Sequence, residues 1–354
     1  MYFQQFLNQL HGCATYLIAS RDTREAALVD PGVVVNEYEE ILRRRGLRLR
    51  YVIDTHIHAD HVSGGRRLAD AHGAELCLHE SAQVAYPFHA LRDGDELALG
   101  HVRLRVWHTP GHRPELISLL VINTERSPEP SMVLTADALL VGDVGRPDFG
   151  GGDAEAQYQS IARLLDLPEW VAVFPGHFEG PCGKGMCGRP NSTIGFEKLF
   201  NPIVRLDRHA FVHAITSEIP ARPLNMSAIE ATNRGAQDMG WAMLTLDAPI
   251  PEVSAEETRR LSPDAFLLDV REQDEFADGH VPGAHWVPQS ELASRLDELP
   301  RDRPILAICR SGNRSLRAAQ FLAQMGRTNV SNLAGGMTAW REAGLPVERE
   351  SPPA

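Results

Sequence analysis

The sequence predicts an α/β fold in two domains, and three observations carry that prediction. Four apolar runs in the first two thirds of the chain, two of them alternating, each end on a residue that can bind a metal. The stretch LDAPIPEVSAEETRR then breaks the pattern with two prolines and a charge run. Beyond it, strand-like and helix-like segments alternate, as in a small parallel sheet with crossover helices. The expected organisation is a domain over residues 1–247, a linker over 248–253 and a second domain over 254–350.

LRLRYVIDTHIHADH begins as a strand, with Leu49, Tyr51 and Ile53 on one face and Arg48, Arg50 and Val52 on the other. Its end delivers His56, His58, Asp60 and His61 within six residues. HVRLRVWHTPGH repeats the arrangement: alternation, a turn at Pro110 and Gly111, then His112. SMVLTADALL closes an apolar run at Asp137, and VAVFPGH stops at Pro175 and Gly176 just before His177. Four strand ends thus present metal-capable side chains, expected to meet at one sheet edge on loops held by a rigid scaffold. In the second domain, AFLLDV and PILAIC read as strands and SELASRLDEL and SLRAAQFLAQMG as helices. The tail VERESPPA is expected to fray.

Composition narrows the function. Thirty-five Lys and Arg against 47 Asp and Glu give a net charge of −12. That balance excludes a nucleic-acid scaffold, which needs clustered basic charge. The five cysteines (Cys13, Cys77, Cys182, Cys187, Cys309) are an odd number in a long chain, which reads as a reducing compartment rather than a disulfide framework. The first twenty residues lack a basic start and an unbroken apolar stretch, and no segment approaches membrane-spanning length. A cytoplasmic enzyme with no membrane or nucleic-acid partner is expected.

Histidine with carboxylate suits zinc or iron. The pattern H-x-H-x-D-H over His56–His61, followed by His112, Asp137 and His177, resembles the metallo-β-lactamase superfamily. The resemblance covers about two thirds of the chain and implies a four-layer αββα sandwich with metal at the sheet edge. In dinuclear members, His56, His58 and His112 would hold one metal and Asp60, His61 and His177 the other, with Asp137 shared. TPGH, TADALLVGDVGRPDF and PGHFEGPCGKGMCGRPNSTIGFEK resemble more narrowly the persulfide dioxygenase branch. That branch implies one iron(II) per chain held by His56, His112 and Asp137, with His58, Asp60, His61 and His177 orienting ligands, solvent or substrate. Open positions on the metal would then admit dioxygen and a persulfide. Two residues depart from the branch pattern: Arg113, expected to be solvated, and Ala136, where glycine is usual and a positive φ would strain it. Arg146, Cys182 and Lys184 are substrate-binding candidates, Lys184 as a cation that would also lower the Cys182 pKa, although an Arg146–Asp148 structural pair accounts equally for GRPDF.

AICRSGNRSLRAAQ carries the second site. Cys309 ends a strand, Gly312 permits a tight turn and a helix starts near Ser315, so loop N–H groups and a helix N-terminus face the sulfur. The loop residues are Arg310, Ser311, Gly312, Asn313, Arg314 and Ser315, the arginines adding positive charge. With LLDVREQDEFADGHVPGAHWVP upstream and GGMTAW downstream, this part resembles the single-domain rhodaneses, in which the cysteine accepts a sulfane sulfur. Asp269 and Arg271 are expected to organise the fold.

Sulfur is common to both sites. The resemblance implies oxidation of a glutathione-like or coenzyme A-like thiol persulfide by O2 to sulfite and thiol, coupled to interconversion of persulfide with thiosulfate or sulfite at Cys309, in a homo-oligomer. The alternative is a dinuclear zinc thiolester hydrolase similar to glyoxalase II, fused to a rhodanese.

Overall fold

Alternation and turn chemistry build two six-stranded sheets in the first part of the chain. Strands β1 (Tyr2–Asn8), β2 (Cys13–Ala19), β3 (Glu25–Val29), β4 (Arg48–Ile53), β5 (Glu75–His79) and β6 (His89–Leu91) lie in that order in the first sheet. The second contains β7 (Glu96–Leu99), β8 (Val102–His108), β9 (Ile117–Asn123), β10 (Met132–Ala136), β13 (Ala172–Pro175) and β14 (Ser192–Thr193), in the order β14-β13-β10-β9-β8-β7. A hairpin of β11 (Leu139–Leu140) and β12 (Asp143–Val144) follows Asp137. The structure is a computed structural model and describes residues 1–8, 12–33, 35–179, 182–217, 219, 226–236, 250–260, 265–289, 291–292, 295–300, 302–324, 327 and 329–349.

Inward residues of both sheets form one core, including Tyr16, Ile18, Ile53, Leu104, Val106, Leu119 and Leu134. Helices α1 (Asn36–Arg45) and α2 (Gly65–His72) contribute Leu42 and Leu68 to the cluster on the outer face of the first sheet. Helices α3 (Ala154–Leu165) and α5 (Arg208–Thr216), with α4 (Ile194–Phe200) between them in sequence, contribute Ile161, Leu164, Ile194 and Phe211 to the outer face of the second. This is the four-layer αββα arrangement. A further helix, α6 (Met226–Asn233), follows.

One expectation about β4 fails. Leu49 does not share a face with Tyr51 and Ile53: it packs in the helix-side cluster with Val52, whereas Tyr51 and Ile53 enter the inter-sheet core. The pairing of β3 with β4 shifts register between Ala26 and Ala27, opposite Leu49 and Tyr51. Arg50 is the bulged residue, and a bulge inverts the alternation beyond it.

The chain divides into two compact units, Met1–Asp238 and Met239–Ala354. In the second, β15 (Glu252–Val253), β16 (Phe266–Asp269), β17 (His285–Trp286), β18 (Ile305–Ile308) and β19 (Val330–Leu333) form a parallel sheet in the order β15-β19-β18-β16-β17. Helix α8 (Asn313–Gln324) packs Ala318, Ala319 and Leu322 on one face; α9 (Gly336–Glu342) packs Met337 and Trp340 on the other. Helix α7 (Gln273–Ala277) interrupts the polar segment after β16. Residues 248–249 of the expected linker lie outside the described residues, and its last two, Glu252–Val253, belong to the sheet as β15. SELASRLDEL shows a short 3-10 turn at Leu296–Glu298 rather than the expected α-helix, with Ser290, Ala293 and Ser294 outside the described residues. The tail does not fray at its start: Val347 packs on the core, and Glu348 exchanges backbone hydrogen bonds of 2.9 Å with His280.

Asp153 caps α3, its carboxylate accepting from the N–H groups of Glu155 and Ala156. Asp153→Ala should cost about 1 kcal/mol, lowering the unfolding midpoint of this unit by about 2–4 °C in a thermal scan.

Candidate metal centre and rhodanese-type loop

The ligand candidates arrive from one end of both sheets. His56 follows β4 of the first sheet; His112, Asp137 and His177 follow β8, β10 and β13 of the second. The backbone is shaped for this convergence. Ala136 sits at φ +46°, the left-handed region that disfavours a side chain, and it turns the chain so that Asp137 points inward. A Cβ on Gly176 would lie 2.6 Å from Asp137 Oδ1, so only glycine fits beside that carboxylate.

His56 Nε2 lies 3.8 Å and His112 Nε2 3.6 Å from Asp137 Oδ2, and all three residues are buried. The proton positions follow from the partners. His112 Nδ1–H donates to the carbonyl of Arg146 at 2.8 Å, because a carbonyl only accepts. Thr55 Oγ1–H donates to Asp30 Oδ2 at 2.8 Å, so its oxygen accepts from His56 Nδ1–H at 3.0 Å. Both imidazoles therefore turn a bare Nε2 toward Asp137. Burial lowers the pKa of each, which keeps them neutral. Asp137 Oδ2 is buried with no hydrogen-bond donor among the described residues. Burial would raise the Asp137 pKa, but the charge and the hydrogen bond of His177 outweigh it and hold the group ionised.

This donor set fits a cation. The three ligand atoms lie within 4.8 Å of one another, and two metal–ligand bonds of about 2.1 Å span up to about 4.2 Å. Two neutral nitrogens and one carboxylate with an unpartnered oxygen are the donors that zinc or iron takes.

The other four candidates are engaged differently. His177 Nδ1–H donates to Asp137 Oδ1 at 2.8 Å, and its Nε2–H to Asp60 Oδ2 at 3.0 Å. Burial opposes a charge on His177, yet Asp137 and Asp60 carry its pKa well above the ordinary value. His61 Nδ1–H also donates to Asp60 Oδ2, at 2.8 Å. His58 Nε2–H donates to Asp30 Oδ1 at 3.1 Å; burial opposes its charge, but Asp30 outweighs it and the pKa rises to about 9. Among the described residues, His58 Nδ1 and His61 Nε2 have no hydrogen-bond partner.

Two thiols border this group. Cys182 Sγ lies 3.8 Å from His177 Nε2, and Cys13 shares a cluster with Asp60 and His61. Burial pushes both thiols up, Cys13 to about 12. The expected effect of Lys184 on Cys182 is absent: the Lys184 ammonium donates to the carbonyls of Ala214 and Ser217 instead. Arg146 makes the two-pronged pair with Asp148, at 2.6 and 2.9 Å. It also borders, with Lys184, Cys187 and Phe200, a cavity of about 310 Å³. Arg113 is fully buried rather than solvated: Nε contacts Glu115 at 3.3 Å and Nη2 contacts Glu230 at 2.6 Å.

Sequence reasoning missed three supports. Asp30 binds the N–H and hydroxyl of Thr55 and the His58 ring. Gln157 on α3 accepts from His112 N–H at 2.7 Å and donates to Ala138. Asn233 on α6 bonds the His56–His61 loop. Only Asp30 left a signal, closing the apolar run EAALVD just before Pro31 and Gly32.

In the second unit, Cys309 is buried at the end of β18, its Sγ accepting from Gly312 N–H at 3.2 Å. Ser315 Oγ lies 3.2 Å from the same sulfur and 2.7 Å from Asn332 Oδ1. Gly336 explains GGMTAW: a Cβ there would lie 2.3 Å from the Cys309 carbonyl. The charge of Arg314 is matched rather than free, since Glu275 accepts from both of its terminal nitrogens, at 2.6 and 2.7 Å. Arg310 borders a cleft of about 550 Å³ with Glu275, Met337 and Thr338. Arg271 is buried on Asp269 and also bonds the Glu275 and Gly279 carbonyls, a fold-organising role.

A carboxylate-and-histidine centre at the end of an αββα sandwich, followed by a parallel domain with a cysteine cradle, defines a metallo-β-lactamase-type protein joined to a rhodanese-like domain. Comparisons agree. Residues 9–177 match the metallo-beta-lactamase superfamily model and 254–343 the rhodanese-like domain model. The mitochondrial persulfide dioxygenases ETHE1 of Bos taurus and Homo sapiens are each 32% identical over 201 residues, which is 56% of this chain and 74% of theirs. The structure of ETHE1 from Myxococcus xanthus superposes with a TM-score of 0.59 at 31% identity, over 67% of this chain and 100% of that one. A metallo-beta-lactamase structure from Staphylococcus aureus subsp. aureus COL covers 94% of this chain and 98% of its own, with a TM-score of 0.69 and 26% identity. The chain belongs to the ETHE1 persulfide dioxygenase family and carries a rhodanese-like domain after that part.

Thr55→Val removes the hydroxyl that fixes the His56 tautomer while keeping the side chain's shape. Metal affinity, read by chelator competition, should fall about 10–100-fold.

Proposed function

We propose that the chain oxidises a low-molecular-weight thiol persulfide with O2 to sulfite and free thiol, and transfers sulfane sulfur at Cys309. The observation that supports this reading is the His56, His112 and Asp137 trio, in which Asp137 Oδ2 has no donor among the described residues. Iron(II) held by these three residues would supply the redox chemistry that joins dioxygen to sulfur, which closed-shell zinc does not. The overall change is R–S–SH + O2 + H2O → R–SH + SO3²⁻ + 2 H⁺.

The remaining residues act around that centre. Asp30 and Thr55 hold the His56 ring, and the Arg146 carbonyl and Gln157 hold His112. His177 carries a proton between Asp137 and Asp60, and both its nitrogens are occupied, which favours one metal over two. Phe149, 4.8 Å from the His112 ring, packs with Ala59 and Met226 as an apolar wall. Cys182 faces His177 as a sulfur contact, and the cavity bordered by Arg146 and Lys184 takes the body of a glutathione-like or coenzyme A-like carrier.

At the second site Cys309 accepts the outer sulfur, its persulfide held by the loop N–H groups. With sulfite as acceptor, R–S–S⁻ + SO3²⁻ → R–S⁻ + S2O3²⁻. Cysteine usage supports a reducing compartment, the cytoplasm, for this chemistry. Among the described residues, no helix is long and apolar enough to cross a membrane.

Protein prepared without oxygen and given a persulfide and O2 should hold one iron per chain and release sulfite as oxygen is consumed. Two zincs per chain, no oxygen uptake and hydrolysis of a glutathione thiolester would establish the hydrolase instead. Cys309→Ser should abolish sulfur transfer and leave oxygen consumption within about twofold of wild type, on the additivity of independent sites; loss of both activities in a folded variant contradicts the division of labour.

A further inference from the structure

The loop from Thr55 to Ser63 carries four of the seven metal-capable residues without being strand or helix. Its backbone borrows partners from side chains elsewhere in the fold. Thr55 N–H donates to Asp30 at 2.7 Å and Ile57 N–H to Glu115 Oε1 at 3.0 Å. The rest of the loop is gripped by Asn233. Its Nδ2 donates to the carbonyls of His58 and His61, each at 2.9 Å, and its Oδ1 accepts from Ser63 N–H at 2.9 Å. One buried amide thus has both donors and its acceptor committed to three backbone groups of the loop.

A second connection runs from the same helix. Glu230 lies 2.6 Å from the buried Arg113, whose Nε contacts the Glu115 carboxylate that holds Ile57. Arg113 directly follows the ligand candidate His112, so this contact reaches both sides of the site. Met226, at the start of α6, packs on Ala59 inside the loop and on Phe149. The helix is itself anchored away from the loop, where Arg234 donates to the Gln83 carbonyl at 2.8 Å and Tyr86 OH to the Asn233 carbonyl at 2.7 Å. Helix α6 lies outside both matched stretches, 9–177 and 254–343.

We propose that Asn233 is a positioning residue: from a helix outside the matched core, it presets the metal-binding loop before any metal arrives. The statement rests on the metal-centre reading above. A loop already held in place loses less freedom on binding, so its ligands bind more tightly and at fixed angles. Asn233 touches the backbone of the loop and not the metal trio, so it acts through His56 and its neighbours.

The test uses the full-length chain and two probes, Fe²⁺ and Co²⁺, with dissociation constants measured by chelator competition under exclusion of oxygen. Asn233→Ala should weaken both about 10–100-fold and shift the ligand-field spectrum of the Co²⁺ form, which reports ligand angles. Asn233→Asp keeps the size, loses both N–H donors and sets a carboxylate against two carbonyls; it should do the same, and it carries the test if the alanine variant does not fold. Arg234→Ala removes an anchor of the same helix that does not touch the loop. It should lower the unfolding midpoint while leaving affinity and spectrum unchanged. Wild-type affinity and an unaltered spectrum in the Asn233 variants overturn the proposal, as does an Arg234→Ala variant that weakens metal as much as they do. Wild-type protein that takes up no metal overturns the metal-centre reading first, and the proposal with it, before any substitution is compared.

Discussion

A buried carboxylate with half its partners is the constraint on which the first site depends. Asp137 is fully enclosed, and His177 satisfies only Oδ1. Oδ2 faces two imidazole nitrogens whose protons are committed on the far side of each ring. Leaving one oxygen of an enclosed carboxylate without a donor is costly, of the order of 1–3 kcal/mol. A cation between the three groups removes that deficit. The positive φ at Ala136 and the missing side chain at Gly176 keep the carboxylate where it is, and the Gln157 amide on α3 ties the neighbouring Ala138 to the His112 backbone.

The two units solve a related problem with opposite electrostatics. In both, a strand ends and an irregular loop begins, where backbone groups are free to act. In the first unit the loop is held by carboxylates and amides, and its histidines become a donor set for a positive ion. In the second the loop turns the Gly312 N–H and the Ser315 hydroxyl to a sulfur, and the neighbouring guanidinium of Arg314 is balanced by Glu275. One cradle suits a metal and the other a sulfur anion.

The strands that carry ligands were legible because half-buried strands alternate and the ligand types cluster at their ends. β8 follows that pattern, β10 is buried almost throughout, and the trio of His56, His112 and Asp137 that the structure brings together was implied by the family resemblance rather than by polarity. β4 was only half legible, since a bulge at Arg50 leaves no mark in polarity. Arg113 misled because an arginine's environment is set by distant carboxylates, here Glu115 and Glu230. Lys184 misled for the converse reason: neighbours in sequence did not become neighbours of the thiol. Asn233 was invisible, because its role depends on three backbone groups about 170 positions away.

Strand β15 has a bearing on how the sulfurtransferase part is excised. The homologous module is matched from residue 254, yet Glu252 and Val253 already pair with β19, and Glu252 receives a hydrogen bond from the Asn332 amide. Asn332 in turn contacts Ser315, which touches the reactive sulfur. A clone cut at the family boundary would strip the protecting edge from the sheet, exposing β19 to stray strands from other molecules, and would slacken the cradle two contacts away. The working unit starts before Pro251, inside what looks in one dimension like spacer.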